Sequence, residues 1–275
     1  MASDNRDAMS GTNQFTGPIN IEVQSAPLVA EGLTKSFGSL QVVMGFSHAI
    51  AQGIVTGLVG PNGAGKTTIF NLLSGALKPD SGTVVLAGHD VTGKSLHVVS
   101  RLGLGRSFQD VRVFPTLTCL ENCALYSQRI EEGSLLRTLF LPRATWRHSN
   151  HSIRVAREAL DYVGLSAMAD TPAGGLSYAD QKLLAIARLL AIGSHTFLLD
   201  EPASGLDRRG VDTLIEVIRR FSKEGKTVLL IEHNIDVVQE LCQKVLFLDR
   251  GKVLAEGTPA EVLAQSDLAE LYFGA

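Results

Sequence analysis

The chain has 275 residues, 45% of them hydrophobic and 19% charged, which is enough for a sizeable core and too apolar for a disordered polymer. Twenty-five Lys and Arg against 28 Asp and Glu leave a net charge of −3, which excludes attachment to nucleic acid through an overall positive field. Cys119, Cys123 and Cys242 are too few, and odd in number, for a disulfide framework, and no further Cys or His near the first two completes a zinc set. They read as buried thiols in a reducing cytosol.

In chain order, residues 1–25 are rich in Ser, Asn, Gly and Thr and read as a disordered polar tail. β-like stretches at 28–29 and 41–50 precede a strand at 54–59, which runs into a glycine-rich turn and an apolar helix at 67–75. Residues 82–90 read as a strand ending in a turn. From Thr118 to about Ile192 the pattern is helical. Thr118 and Glu121 have capping-box spacing, and a second helix, 152–163, ends at Gly164. Strand character returns at 196–199, 227–231 and 244–248, with helices between. This alternation predicts an α/β fold, a mainly parallel sheet with helices on both faces, interrupted by an α-helical insert. No apolar run reaches the roughly 18 residues of a membrane helix. The nearest, 183–199, is broken by Arg188, Ser194 and His195, and the polar N-terminus has no signal-peptide core.

Gly60-Pro61-Asn62-Gly63-Ala64-Gly65-Lys66-Thr67 matches G-x-x-x-x-G-K-[ST] in the required context, after a strand and opening a helix. Glycines let successive backbone N–H groups turn toward one anion, and the helix N-terminus adds positive potential. Asn62, Gly63, Ala64, Gly65 and the helix-opening Thr67 and Thr68 are therefore candidate phosphate contacts. Lys66 would reach the β- and γ-phosphates and the Thr67 hydroxyl would ligate Mg²⁺. Alone, the loop specifies a nucleoside triphosphate and no more.

Thr196-Phe197-Leu198-Leu199-Asp200-Glu201 is an apolar strand ending in two acids. Beside a phosphate loop, Asp200 is expected to hold Mg²⁺ through water and Glu201 to accept the proton of the attacking water. His233 follows a later core strand directly, at the carboxyl edge where open α/β sheets bind ligands.

Between these parts lies Leu176-Ser177-Tyr178-Ala179-Asp180-Gln181-Lys182, followed by a helix carrying Ala187-Arg188. With the other motifs in this order and spacing, residues 28–265 resemble the ATPases of ABC transporters, whose signature is L-S-G-G-Q. The resemblance implies a P-loop NTPase core with an N-terminal antiparallel β part and a helical insert. It implies an ATPase domain over 26–265, with a core lobe of 26–109 and 190–265, a helical subdomain at about 110–189, and a C-terminal extension of 266–275. It implies ATP and Mg²⁺ as cofactors. Phe37 would stack on adenine, although a core aromatic at a strand edge is the alternative reading. Gln109 would join the two lobes and sense Mg²⁺ or water, Ser177 would contact the γ-phosphate of the facing subunit, Asp207 would lie in the loop crossing the dimer interface, and His233 would hold the γ-phosphate.

The implied partners are a second ABC ATPase subunit, two integral membrane permease subunits and, for an importer, a substrate-binding protein, with no nucleic acid. The place is the cytoplasmic face of the inner or plasma membrane, reached through the membrane subunits, one of which would dock a short helix on residues 111–125. Within the family the resemblance is to ATPase subunits of branched-chain amino-acid uptake systems. It rests on Gly105-Arg106-Ser107-Phe108-Gln109, Ala173-Gly174-Gly175-Leu176-Ser177-Tyr178, Ile231-Glu232-His233-Asn234 and the ending Leu271-Tyr272-Phe273-Gly274. Lipopolysaccharide-export ATPases have a similar tail. Ala179 replaces the second signature glycine and Asp180 the glutamine. If the glycine position needs φ > 0, alanine there costs roughly 1–2 kcal/mol, so a weakly hydrolysing half of an asymmetric dimer stays open. A DNA-repair ATPase would need a long coiled coil between Lys66 and Ser177, and a soluble translation-associated ABC protein usually carries two cassettes in one chain.

Overall fold

The computed structural model describes residues 27–107, 111–127 and 142–265, with backbone alone over 142–149. The proposed tail, Gln109 and the 266–275 extension lie outside the described residues. Two sheets are present among them. The smaller, in the order β2-β1-β4-β5, consists of β1 (Leu28–Phe37), β2 (Leu40–Ile50), β4 (Ser81–Leu86) and β5 (His89–Asp90), all antiparallel. β1 runs ten residues where only its first two read as strand. Its polar second half faces solvent on one side, as an antiparallel sheet allows, and register shifts with β2 absorb Gly32 and the irregular alternation.

The larger sheet contains β3 (Val55–Val59), β6 (Leu104–Arg106), β7 (Thr196–Asp200), β8 (Thr227–Ile231), β9 (Lys244–Asp249) and β10 (Lys252–Gly257), in the order β10-β9-β3-β8-β7-β6. The pairs among β9, β3, β8, β7 and β6 are parallel, and β10 is an antiparallel edge. β3, β7 and β8 are buried at every position, which is why they read as mostly apolar runs without polar alternation.

Side chains alternate between the two faces of this sheet. Leu58, Leu198, Leu229, Ile231, Leu246 and Leu248 pack on α1 (Lys66–Leu73) and the antiparallel sheet. Val59, Phe197, Leu199, Val228, Leu230 and Phe247 pack on the other side, against α6 (Arg208–Lys223) and α7 (Ile235–Leu241). There Phe197 stacks on Phe221 at 4.3 Å between ring centroids.

Between α2 (Leu96–Arg101) with β6 and the start of β7 the described chain is helical: α3 (Cys119–Ser127), α4 (Pro142–Tyr162) and α5 (Tyr178–Ala191). The Thr118–Glu121 capping box forms in both directions, with Thr118 N donating to Glu121 at 2.8 Å and Glu121 N to Thr118 Oγ1 at 3.1 Å. α4 starts ten residues earlier than its apolar periodicity indicates, with Pro142 at its first position, where the missing N–H has no helical partner to lose. Gly164, at φ 79°, follows its end as expected. Cys119, Cys123 and Cys242 are buried free thiols, and burial pushes those of Cys123 and Cys242 up to about 12. No helix among the described residues is long and apolar enough to cross a membrane.

Candidate functional site

The strand order places three carboxyl ends side by side. Ile231, last in β8, pairs with Leu58 of β3 on one side and with Asp200 of β7 on the other. The phosphate loop after β3, the acids at the end of β7 and the histidine after β8 therefore converge on one edge. There Asn62, Gly63, Ala64, Gly65, Lys66, Thr67, Thr68, Glu201 and His233 line one cavity, with Val42 of β2 and Ile231.

Backbone sterics explain the loop glycines. Gly60 has φ 144°, and a Cβ there would stand 1.9 Å from the Leu248 carbonyl oxygen. Gly65, at φ 105°, is the N-cap of α1, where a Cβ would stand 2.8 Å from the Val42 carbonyl oxygen. No side chain caps α1 and no acid lies in its first turn, so its positive end is directed at the cavity without a carboxylate of its own. Lys66 Nζ is buried and donates to the carbonyls of Gly60 at 2.6 Å and Pro61 at 2.9 Å. Burial pulls its pKa down, against the opposing pull of Glu201 and Asp200.

Asp200 is buried, and its backbone N–H donates to Ser107 Oγ at 3.0 Å. Burial raises its carboxyl pKa, and the Arg106 guanidinium, 3.9 Å away, works against that rise. Arg106 is itself anchored on α1, donating to Asn71 Oδ1 at 2.7 Å and Ser74 Oγ at 2.9 Å. It thereby links the phosphate-loop helix to Asp200.

Glu201 has φ 46°, a left-handed conformation that costs an L-residue roughly 1–2 kcal/mol. Its N–H donates to the Ile231 carbonyl at 2.9 Å, and its Oε1 lies 3.3 Å from His233 Nε2. Glu232, only 2% exposed, accepts from Ala203 N at 2.7 Å and from His233 N at 3.2 Å, fixing both turns beside the cavity. Burial raises the Glu232 carboxyl pKa. Arg106 and Glu232 stood in the sequence motifs without a role. Their signal, a charged residue ending a buried strand, acquires meaning only when the partner across the fold is known.

Phe37, Asp207 and Ser177 do not line this cavity. Phe37 ends β1 at the tip of the β1–β2 hairpin and is 52% exposed, so the core-aromatic reading is set aside. Asp207 is the N-cap of α6, accepting from Gly210 N at 2.8 Å. Ser177 is the N-cap of α5. The condition under which alanine at 179 would be penalised is not met. The residue lies in the first turn of α5 and is not among the positive-φ residues, because the capped helix has already begun there. Alanine, the best helix former, carries no backbone penalty at that point. Asp180 instead bonds reciprocally to the Ser177 side chain. Its N–H donates to Ser177 Oγ at 3.1 Å, and that hydroxyl donates to Asp180 Oδ2 at 2.7 Å.

Among the described residues no group of three His, Cys, Asp or Glu side chains could hold a metal ion by itself. A buried carboxylate and a hydroxyl at the start of α1 suit a hard cation that takes its other oxygens from a bound triphosphate.

Comparison with known proteins agrees with this geometry. The family model described as ABC transporter matches residues 43–204. The branched-chain amino acid transport ATP-binding protein BraF of Pseudomonas aeruginosa is 36% identical over 90% of this chain and 97% of its own. LivG of Escherichia coli, a branched-chain amino acid transport ATP-binding protein, is 33% identical over 91% and 99%. The lipopolysaccharide export system ATP-binding protein LptB of Acidithiobacillus ferridurans is 33% identical over 90% and 96%. The solved ADP conformation of MJ1267, an ATP-binding cassette of an ABC transporter, superposes with a TM-score of 0.78 at 29% identity, covering 91% of this chain and 99% of that one. The chain belongs to the ABC transporter ATP-binding family, whose members hydrolyse ATP to power transport.

Proposed function

We propose that this subunit powers uptake of branched-chain or other hydrophobic amino acids, working at the cytoplasmic face of a membrane on two permease subunits fed by a substrate-binding protein. The observation that carries the catalytic part is the convergence of Lys66, Glu201 and His233 on one cavity with the phosphate loop. Lys66 and the loop N–H groups bind the β- and γ-phosphates, Glu201 takes the proton of the attacking water, and His233 holds the γ-phosphate next to it. Asp200 and Thr67, with Gln109, would hold Mg²⁺, which would neutralise the charge that develops on the phosphates. Likeness to BraF and LivG supports the amino-acid cargo.

Docking on the membrane subunits is assigned to the segment after 111. There the Arg188 guanidinium of α5 donates to the Arg112 carbonyl and the Tyr126 hydroxyl, and lies 5.2 Å from the ring centroid of the exposed Phe114. The test is ATP-dependent uptake of labelled leucine by the purified complex in vesicles. Turnover stimulated by the loaded binding protein is expected. Stimulation by lipopolysaccharide, without any response to amino acids, would replace the importer reading with an export one.

Phe37 is assigned to the adenine face. Stacking reads ring shape weakly, so ATP is preferred over GTP only modestly, and Phe37→Ala weakens both by about tenfold. Strong selectivity for GTP in a binding titration would remove Phe37 from this role.

Ser177 and Asp207 serve the cavity of a facing ATPase subunit, which we take to be a different chain. The reason is Asp180. A carboxylate at the positive end of α5, bonded to the Ser177 hydroxyl, competes with the phosphate that this end would receive. The purified chain alone is therefore expected to hydrolyse ATP slowly and to gain speed beside an ATPase subunit with an intact L-S-G-G-Q. Asp180→Gln should raise stand-alone turnover several-fold, up to roughly tenfold, whereas Ala179→Gly adds little. Robust stand-alone turnover that Asp180→Gln leaves unchanged would show two copies of this chain to be sufficient.

A further inference from the structure

Two buried charges, Glu232 and Lys182, hold the catalytic turn. Lys182, on the second turn of α5, is buried, and its Nζ donates to the carbonyl of Glu201 at 3.0 Å and to that of Pro202 at 3.1 Å. Its ammonium also lies 5.4 Å from the ring centroid of Tyr178. Glu232, whose charge acts on that ammonium, takes the Ala203 N–H at 2.7 Å. A left-handed glutamate persists only where its surroundings over-determine it, and these contacts fix the three residues that follow β7.

The choice of residue is informative. Burying an ammonium is unfavourable compared with burying an apolar side chain of the same length, so packing alone gives no reason for lysine. Two successive carbonyls converging on one point do give a reason, since –NH₃⁺ presents three donors and no acceptor. The carbonyls belong to the backbone whose twist aims the Glu201 carboxylate. They are held from α5, whose N-cap Ser177 lies about 7.5 Å away along the axis.

We propose that Lys182 is a positioning residue for Glu201, fixing the left-handed turn that aims the carboxylate at the phosphate cavity and tying it to the helix that begins at Ser177. A displacement of α5 is then transmitted to the base of the same chain. Contact made at Ser177 with a facing subunit's nucleotide thus reaches this chain's own catalytic turn through one side chain. The proposal rests on the assignment of Glu201 as the base.

The experiment measures kcat in the complex assembled with its membrane subunits, and ATP affinity of the full chain by titration with a fluorescent ATP analogue. Lys182→Met should lower kcat at least tenfold while affinity stays within threefold. Lys182→Arg, which keeps a cation with several donors, should recover kcat to within threefold of the parent. In the Glu201→Gln background Lys182→Met should cause no further loss, because its effect passes through Glu201. Should the methionine variant fail to fold, Lys182→Gln, whose shorter arm cannot serve both carbonyls, is held to the same criteria. A folded variant with kcat within threefold of the parent, or with kcat and affinity falling in parallel, overturns the proposal, and so does failure of arginine to rescue. If Glu201→Gln itself keeps its turnover, the base assignment fails and the positioning role falls with it. If Glu201→Gln is inactive while Lys182→Met is not slowed, the positioning role alone is lost.

Discussion

Glu201→Gln is expected to lower ATP turnover by about 10²–10⁴-fold, the range that loss of a positioned general base produces, while leaving ATP affinity intact or slightly tighter. The amide matches the carboxylate in size and can stay within hydrogen-bonding distance of His233, now 3.3 Å from Oε1. It can still orient a water but cannot take its proton. Affinity survives because no phosphate contact is assigned to this side chain, and removing one negative charge from the cavity lined by Lys66 and Thr67 eases the approach of a polyanion. The backbone is not expected to move, since the left-handed turn is held through its carbonyls and the Ala203 N–H, none of which the substitution touches. Steady-state phosphate release gives the turnover, and titration with a fluorescent ATP analogue gives the affinity. The variant should also accumulate as an ATP-held pair with its partner ATPase on size exclusion. Turnover within about threefold of the parent would remove Glu201 from the role of base.

What the sequence made readable, and what it did not, divides along contact range. The phosphate loop was readable because Gly60 to Thr67 is one contiguous string, even though the glycines at 60 and 65 are required by the carbonyls of Leu248 and Val42 on other strands. Asp200, Glu201 and His233 were readable because the end of a buried apolar strand is itself a local feature, and parallel strands bring their ends to one edge. Arg106 was not, since its anchors Asn71 and Ser74 lie on another element, 35 and 32 residues away in sequence. Lys182 was equally hidden, because the carbonyls it serves belong to a turn 19 and 20 residues on. The backbone conformation at Ala179 was hidden for a different reason. A glycine in a signature invites an argument from φ > 0, yet the Ser177 cap starts the helix before that residue, and Asp180 completes the cap. The polar half of β1 was lost because alternation fails where bulges shift the register.

Lys66→Met should weaken ATP binding by about a hundredfold and yet leave the melting temperature of the nucleotide-free chain no lower than that of the parent. The two effects have separate causes. Charge-assisted hydrogen bonds are worth roughly 1.5–3 kcal/mol each, and the loss of one or two of them to phosphate oxygens amounts to about tenfold to a few hundredfold or more in affinity. Stability responds to something else. Burial lowers the Lys66 pKa below its ordinary value, so at neutral pH the folded chain carries an ammonium that the unfolded chain solvates better. For a lysine lowered in this way the folded state binds its proton less tightly. The cost is therefore fully present below the depressed folded pKa, and stability is regained as pH rises from there toward the unfolded value. Methionine keeps the buried stem and removes the cost, although it leaves the Gly60 and Pro61 carbonyls without their donor. Thermal melts across neutral to alkaline pH check this directly, with the parent gaining more on the alkaline side than the variant. A melting temperature several degrees below the parent's at neutral pH would mean that the two carbonyl contacts outweigh the buried charge, and that Lys66 holds the loop together as well as the nucleotide.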